Sequence, residues 1–491
     1  MKIHYLAPGL AKERRTFAAM LEVDLAHVVM LTETGIVSST VGADLLAALL
    51  PLHGTTPEAL DIDPTRGSML LQVERHLAQT VGAEAAGALS TARSRIDQGA
   101  TFRRMQDRAE TLSLMDAVAG LQRTILALAA EHSNTVMPGY THVQLSQPWV
   151  FGHYLSGLAG RIHDDLSRLW AAYRLTNLCP LGTVGGSGSS WPINRETTSD
   201  LLGFSGIIEH ARQGRDIFYM ADIAAAAAML MADLNDFATD LQLWSSVEFG
   251  LVELDASYCG TSSIFPQKKN PVALEAVRNA AAIAVQWPAN ILSICRGMGS
   301  PDIAMRTAGF LGDALKTAWA MTDLLAGVFE TLEVKAERMA NRAGDGWTTA
   351  SHLADEMVRD FGLSYRTAHH AVGAIVRHCI EQKISPNRLQ IEDIETIPEF
   401  PDLMRGHVDG DWLRNVLNPH TFVAAAASRG GVAPQETARL LTLADATARI
   451  DETKIRTEIR RLEETRAHLV ARASALAVDA KHQQDGSNEK T

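Results

Sequence analysis

Apolar residues recur at three- and four-residue intervals through most of the chain, and turn signals fall too far apart for a sandwich of short strands. The long runs with that helical period cover roughly 145–178, 215–250, 270–297 and 305–340. Helices of such length bury themselves by lying side by side. The pattern therefore predicts an all-α fold around a long-helix bundle, with no convincing strand. Within 220–245 alanine falls on nearly every face, so neighbouring backbones can approach closely while Met, Leu and Phe fill the remaining space. Alanine on several faces points to several helical neighbours at once, and so to an oligomer in which each copy adds helices to a shared bundle.

Beyond about 340 the helical runs shorten, and from Asp451 the chain turns charge-dense, with Ile455, Ile459, Leu462 and Leu469 at near-heptad spacing. That spacing predicts an exposed amphipathic helix lying on a neighbour. The expected organisation is an N-terminal helical domain (1–93), a central long-helix domain (94–340), a small C-terminal helical domain (341–450) and a charged helical extension with a frayed tail (451–491).

Composition narrows the partners. A chain of 491 residues with 46% hydrophobic and 21% charged residues reads as an ordinary globular protein. A formal net charge of −12 argues against nucleic acid and anionic membranes as partners. It is compatible with a small anionic substrate, because a few cations can dominate one cleft. Cys179, Cys259, Cys295 and Cys379 show no CxxC spacing, and the opening MKIHYLAPGLAKERR does not read as a secretory leader, so a reducing cytoplasm is expected. The apolar run IAAAAAMLMADL from Ile223 is too short to span a bilayer and is flanked by Asp222 and Asp233.

The chemistry sits in the loops between the long runs. GTSSIFPQKKNPVALE (260–275) combines a tight-turning glycine, the hydroxyls of Ser262 and Ser263, the cations Lys268 and Lys269, and the amide of Asn270, just ahead of a helix start at Pro271. Such a donor-rich flap can close over an anion. Other polar loops are LSTARSRIDQGA (89–100), MPGYTHVQLSQP (137–148) and CPLGTVGGSGSSWP (179–192). The run GGSGSS (185–190) lacks the lysine and spacing of a phosphate loop. His369 and His370 are adjacent and would diverge by about 100° on a helix, a poor metal pair.

The 260–275 string is similar to the flexible signature loop of the fumarase/aspartase superfamily, and its PQKKNP form resembles the argininosuccinate lyase branch. MPGYTHVQLSQPWVFGHYLSG (137–157) is similar to that branch's Thr-His loop, and ARSRIDQ (92–98) to its arginine-bearing loop in modified form. GRDI (214–217), YRTAHHAVG (365–373) and RGGVAPQ (429–435) are weaker echoes in the family's order. The resemblance implies a three-domain, mostly helical subunit and a homotetramer whose active sites each draw on three subunits. It implies elimination across a C–N or C–O bond of a succinyl compound, usually releasing fumarate, with no metal or organic cofactor.

By the same resemblance Ser262 is the general base, and Lys268 supports its alkoxide. His142 is the acid, or part of the relay that protonates the departing nitrogen, and is paired with Glu275. A carboxylate partner favours the protonated, donating imidazole. Ser94, Arg95, Thr141, Gln144, Arg215, Ser263 and Asn270 would bind the substrate. These residue types suit the reaction: removing a proton beside a carboxylate creates a dianionic intermediate, and each donor placed for it in advance is worth about 3–4 kcal/mol.

The departures bear on substrate choice. The loop reads Thr261-Ser262-Ser263 with Phe265 where the family has methionine, and Ile96 replaces an asparagine. The acidic segment upstream becomes RGSML (66–70), and GMGSPDIAMRTAGFLGDALKTAW (297–319) carries neither the tyrosine nor the glutamine of argininosuccinate lyases, leaving Arg306 as a replacement charge. A pocket built for a polar guanidinium group seldom tolerates apolar replacements. The expected activity is a lyase that splits an N-substituted aspartate into fumarate and an amine, or adds an amine to fumarate. The alternatives are argininosuccinate lyase proper and a non-catalytic, crystallin-like structural protein.

Overall fold

A computed structural model describes residue 10 and residues 13–63, 65, 67–295 and 310–488. Arg66, Arg306 and the surrounding stretch 296–309 lie outside the described residues. Among the described residues the fold is all-α apart from two short antiparallel ladders. Helices α1 (Phe17–Glu33), α2 (Ser39–Leu49) and α3 (Met69–Val81) form an N-terminal unit, in which α1 is buried around most of its circumference. The bundle follows: α4 (Arg95–Glu131), the hairpin β1 (Val136–Thr141) and β2 (Gln144–Val150), α5 (Phe151–Thr176), α6 (Phe218–Trp244), α7 (Val272–Ala284), α8 (Trp287–Ile294) and α9 (Phe310–Glu330). A second small ladder joins β3 (Val252–Glu253) to β4 (Glu333–Val334). Helices α10 (Ala350–Phe361) and α11 (Tyr365–Gln382) lead the C-terminal unit, and α12 (Pro434–Asn488) closes the chain.

Among the described residues the three largest apolar cores correspond to this order. The largest runs through the bundle and includes Leu121, Ile162, Leu230, Leu274 and Leu325. The N-terminal core gathers Leu21, Leu45 and Val73, and the C-terminal core gathers Leu353, Ile375, Phe400 and Leu413. The C-terminal helix crosses these units: Ala448 and Ile455 belong to the bundle core, and Leu469, Ala473 and Ala477 to the N-terminal core. The boundary expected at 450 therefore falls inside one continuous helix. Its charged face is partnered within the chain, by Arg466 on Glu22 at 2.6 Å and Arg472 on Glu33 at 2.7 Å.

Several elements differ from the sequence pattern. The run from 145 opens with a strand, because β2 pairs with β1 before the helix begins at Phe151. The run 270–297 is two helices, broken ahead of Pro288, which has no N–H to continue the ladder. The longest bundle helix, α4, escapes the apolar pattern because RRMQDRAE reads as a solvated face. Its charges are buried instead. Arg104 donates to the carbonyls of Leu175 and Thr176 at 2.7 and 3.2 Å, and Arg108 to those of Leu202 and Gly203 at 3.0 and 2.9 Å. The two guanidinium groups thereby satisfy carbonyls left open where α5 and a later short helix end. Among the described residues α4 is the one helix long and apolar enough to cross a membrane, and it packs in the bundle against α5, α9 and α12.

Candidate active site

The up-and-down course of the helices sorts the predicted residues onto two ends of the bundle. At one end α4 begins, α5 finishes and α6 begins. Ser94 caps α4, its hydroxyl accepting from the Ile96 N–H at 3.2 Å, and Arg95 is the exposed first helical residue. The turn before them is locked to α1. Asp24, buried, accepts from Arg93 at 2.5 Å and from the Gln98 amide at 2.6 Å, and His27 Nε2 meets the Thr91 carbonyl at 2.9 Å. Burial pushes the His27 pKa down to about 3, so the ring is neutral and donates through Nε2. Burial also raises the Asp24 carboxyl, against the opposing pull of Arg93.

Arg215 ends the 3-10 turn Ala211–Arg215 at this same end. Its neighbour Gly214 presses so closely on the 179–186 segment that a Cβ there would lie 2.2 Å from Thr183 Oγ1. Only glycine permits that approach. The 92–98 turn, the 179–186 segment and the Arg215 turn thus form one packed unit, the arginine end.

The opposite end holds the hairpin and the signature loop. Thr141 and Gln144 are paired across β1 and β2, which leaves His142 and Val143 as a two-residue turn with φ of +56° and +59°. Two positive φ values mark a type I′ turn, which favours Asn-Gly. A β-branched valine there is an outlier, of the strained kind that clusters at functional sites. The turn holds the exposed His142 ring out from the bundle. Tyr140 packs against Phe249 with ring centroids 5.3 Å apart, which brings the hairpin to the β3 side of the bundle.

The loop carrying Ser262 emerges beside β3. Its neck is closed by paired backbone bonds between Gly260 and Asn270, at 2.8 and 3.1 Å. Lys269 fastens the neck to Glu253 at 2.6 Å, and Lys335 holds the same carboxylate at 2.9 Å. Lys269 and Lys335 depress the Glu253 pKa to about 2. Inside the loop, Ser262 Oγ accepts the backbone N–H groups of Phe265 at 3.0 Å and Ile264 at 3.3 Å. Ser263 and Lys268 are exposed, and among the described residues the Lys268 ammonium group has no hydrogen-bond or ion-pair partner. Glu275 lies in the first turn of α7, also exposed.

The structure thus brings Ser262, Ser263, Lys268, Asn270, Glu275, Thr141, His142 and Gln144 to one end, and Ser94, Arg95 and Arg215 to the other. Among the described residues no hydrogen bond joins Ser262 to Lys268 or His142 to Glu275. With 27 residues, α6 separates the two ends by about 40 Å. Two groups of buried residues escape the sequence reading. Asp24 and His27, inside an apolar helix, give no local signal. Asp97 gives one, since Ser94-x-x-Asp97 is a capping-box spacing and both of its bonds are present.

An all-α bundle that presents a pinned, serine-bearing loop at a helix start defines the class of lyases built on this architecture. The chain belongs to the lyase family, on the argininosuccinate lyase-like branch of the fumarase/aspartase superfamily, and is a carbon–nitrogen lyase. A lyase family model matches residues 12–285 and an argininosuccinate lyase C-terminal model matches residues 347–424. Argininosuccinate lyase of Methanosarcina acetivorans is 33% identical over 436 residues, covering 88% of this chain and 87% of the relative. Argininosuccinate lyase 1 of Shouchella clausii is 33% identical, covering 89% of each. The crystal structure of EDDS lyase in complex with formate superposes with a TM-score of 0.84 at 30% identity, covering 94% of this chain and 92% of that one. The 3-carboxy-cis,cis-muconate lactonizing enzyme of Pseudomonas putida shares the fold, with a TM-score of 0.69 at 17% identity over 91% of this chain and 99% of that one. Membership of an enzyme family replaces the crystallin-like alternative.

Proposed function

We propose that the chain releases fumarate from an N-substituted aspartate other than argininosuccinate, and in reverse adds an amine to fumarate. The observation that carries this reading is the Ser262 oxygen, which receives two backbone N–H groups on a closed-neck loop that also bears the unpartnered Lys268. Two oriented N–H donors stabilise an oxyanion at Oγ, and a nearby ammonium group lowers the cost of ionising the hydroxyl further.

In the elimination, Ser262 alkoxide takes the proton from the carbon beside one carboxylate. The electron pair is held on that carboxylate as an aci-anion and then forms the carbon–carbon double bond. The C–N bond breaks, the nitrogen leaves with its bonding pair, and His142, supported by Glu275, supplies its proton. Thr141, Gln144, Ser263 and Asn270 donate to the reacting carboxylate, while Ser94, Arg95 and Arg215 hold the substrate's anionic end. Arg95 and Arg215 can each form a bidentate fork with a carboxylate. The exposed apolar tip of the loop, Ile264 and Phe265, suits a lid that loses water on closing.

A separation of about 40 Å between the ends makes a complete site within one chain impossible. Copies packed antiparallel bring one chain's serine end to another's arginine end, as in the homotetramer the resemblance implies. Met229, Ile283 and Leu292, exposed on the bundle helices, and Val285, in the turn after α7, supply an apolar surface for that packing. The three largest apolar cores support a three-domain subunit, and four unpaired cysteines support a reducing, cytoplasmic setting.

Two EDDS lyase structures, one with bound fumarate, stand 30% identical to this chain and support an amine other than arginine. Ile96, where the family carries an asparagine, supports the same reading. The second reading, argininosuccinate lyase, is favoured by the curated relatives at 33% identity. Incubating the purified enzyme with fumarate and a panel of amines, and separately with argininosuccinate, decides between them. Amine adducts without argininosuccinate turnover are expected; argininosuccinate cleavage at ordinary enzymatic rates would establish the second reading.

A further inference from the structure

Asp97 does more than a capping residue needs. Its side chain is fully buried, and its two oxygens serve two different segments. Oδ1 accepts the backbone N–H groups of Ser94 at 2.9 Å and Gln98 at 3.0 Å. Oδ2 accepts those of Gly182 at 2.8 Å and Val184 at 2.9 Å. One oxygen suffices to close a helix start; the second fixes a segment more than eighty residues further along the chain.

That second segment is not at rest. Val184 has a φ of +53°, in the left-handed region that a β-branched residue seldom enters, and Gly182 has a φ of +86°. Such a backbone persists when its surroundings over-determine it. Both N–H groups flanking Thr183 end on Asp97, and the Thr183 side chain is the surface against which Gly214 is pressed. One carboxylate therefore stands at the junction of the Ser94–Arg95 turn, the Gly182–Val184 turn and the turn ending in Arg215.

We propose that Asp97 is a positioning residue for substrate carboxylate binding: it locks these three turns into one unit, so that Arg95 and Arg215 meet the substrate at a fixed spacing. This rests on the reading above that both arginines hold the substrate's anionic end. Asp97 touches no substrate and acts through the backbone of its neighbours. Carboxylate binding by two arginine forks demands such a frame, because a small displacement loses the paired hydrogen bonds.

The test is Asp97→Asn, assayed in amine addition to fumarate. Asparagine keeps size and shape but offers one oxygen, and its NH2 group must face two N–H donors. The fumarate KM is expected to rise about 10–100-fold while kcat changes less than about threefold, since binding before and at the transition state is weakened alike. Combined with Arg95→Ala, D97N should add less than about twofold to the KM already raised by that change. A parent-like fumarate KM, or effects that multiply in the double variant, would overturn the proposal. Should D97N fail to fold, D97E carries the same expectation, because its oxygens sit one methylene too far out.

If the parent enzyme turns over fumarate with no amine at all, the functional reading falls and the clamp is still measurable. Amide hydrogen exchange in the Asp97 variant should quicken at 92–98 and at 182–186 together. Quickening confined to 92–98 would leave Asp97 an ordinary helix cap and sink the clamp.

Discussion

The two ends of the bundle are built on opposite principles. At the arginine end the proposed binding residues sit on turns whose backbones are tied to buried side chains: Asp24, His27 and Asp97 are each almost wholly inaccessible. At the serine end a single neck of backbone bonds and a solvent-facing ion-pair cluster hold a loop whose tip is open, with Ile264 76% and Phe265 52% exposed. Recognition of a rigid dicarboxylate gains from a frame that does not move, because every displaced donor loses its hydrogen bond. Deprotonation by a serine needs a group that is hydrated between turnovers and dry during them, and mobile segments come from the least stable parts of a fold. On the proposed reading the difference between the ends is a division of labour, with binding on the stiff end and proton transfer on the loose one.

The largest effect should come from the loose end and leave the fold untouched. Ser262→Ala is expected to lower kcat about 10²–10⁴-fold, the usual contribution of a positioned base, with an unchanged melting temperature. Lys268→Ala should follow at about 10²–10³-fold, as for loss of one preorganised electrostatic donor. Steady-state kinetics and thermal melts on the same preparations check both. Melting that falls with activity in either variant would mean that the loop supports the bundle, and the division of labour would fail.

The stiff end should answer in the opposite currency. Asp24→Ala leaves the Arg93 side chain, 4% exposed, buried without its partner, and a stability loss of about 3–5 kcal/mol is expected. Denaturant titration measures it. A loss below about 1 kcal/mol would show that the turn carrying Arg95 is held no more firmly than a surface loop.

How far each end is legible in the sequence follows from the same contrast. The serine end is written locally: GTSSIFPQKKNP and MPGYTHVQ present their chemistry in consecutive residues, and the turn and neck are made within each string. The arginine end is written across distance. Arg93 needs Asp24, Asp97 needs Gly182 and Val184, and Arg108 needs Leu202 and Gly203, pairings between positions from 69 to 95 residues apart. The same long-range pairing hides α4 itself, since arginines that read as solvated are buried against carbonyls from other segments. The ladders escape for another reason: Pro138, Gly139 and Pro148 sit in strands whose register shifts at the glycine, so no alternation survives.

A smaller effect separates the ends by pH. The His27 pKa is depressed to about 3 against an ordinary 6.5, so the neutral ring's contribution is complete above pH 6.5 and is lost as the pH falls from there toward 3. Asp107, raised to about 6 by burial, runs the other way: its contribution is complete below pH 3.8 and lost as pH rises through 6. The two partly cancel in the parent. His27→Gln keeps a donor for Thr91 and does not titrate. Its stability relative to the parent should rise by up to about 1.4 kcal/mol for each unit of pH lost below about 6. A difference flat between pH 7 and 5 in denaturant titrations would show that the ring is not held neutral against the Thr91 turn.

The smallest effect belongs to the lysine next to the most sensitive one. Lys269 is committed to Glu253 at the loop's neck, and Lys335 grips the same carboxylate from the other side at 2.9 Å. Removing Lys269 therefore leaves Glu253 neutralised and the Gly260–Asn270 backbone pairing intact. Exposed ion pairs contribute little, so Lys269→Ala should leave the melting temperature unchanged and kcat within about twofold. Any residual effect should shrink further in high salt, which screens such pairs. Two adjacent lysines would then differ by about two orders of magnitude because one is spent on the frame and its neighbour faces the reaction. A Lys269→Ala defect as deep as that of Lys268→Ala would mean that both cations serve the anion, and the boundary between fixed neck and working tip would have to be moved down the loop to Glu253.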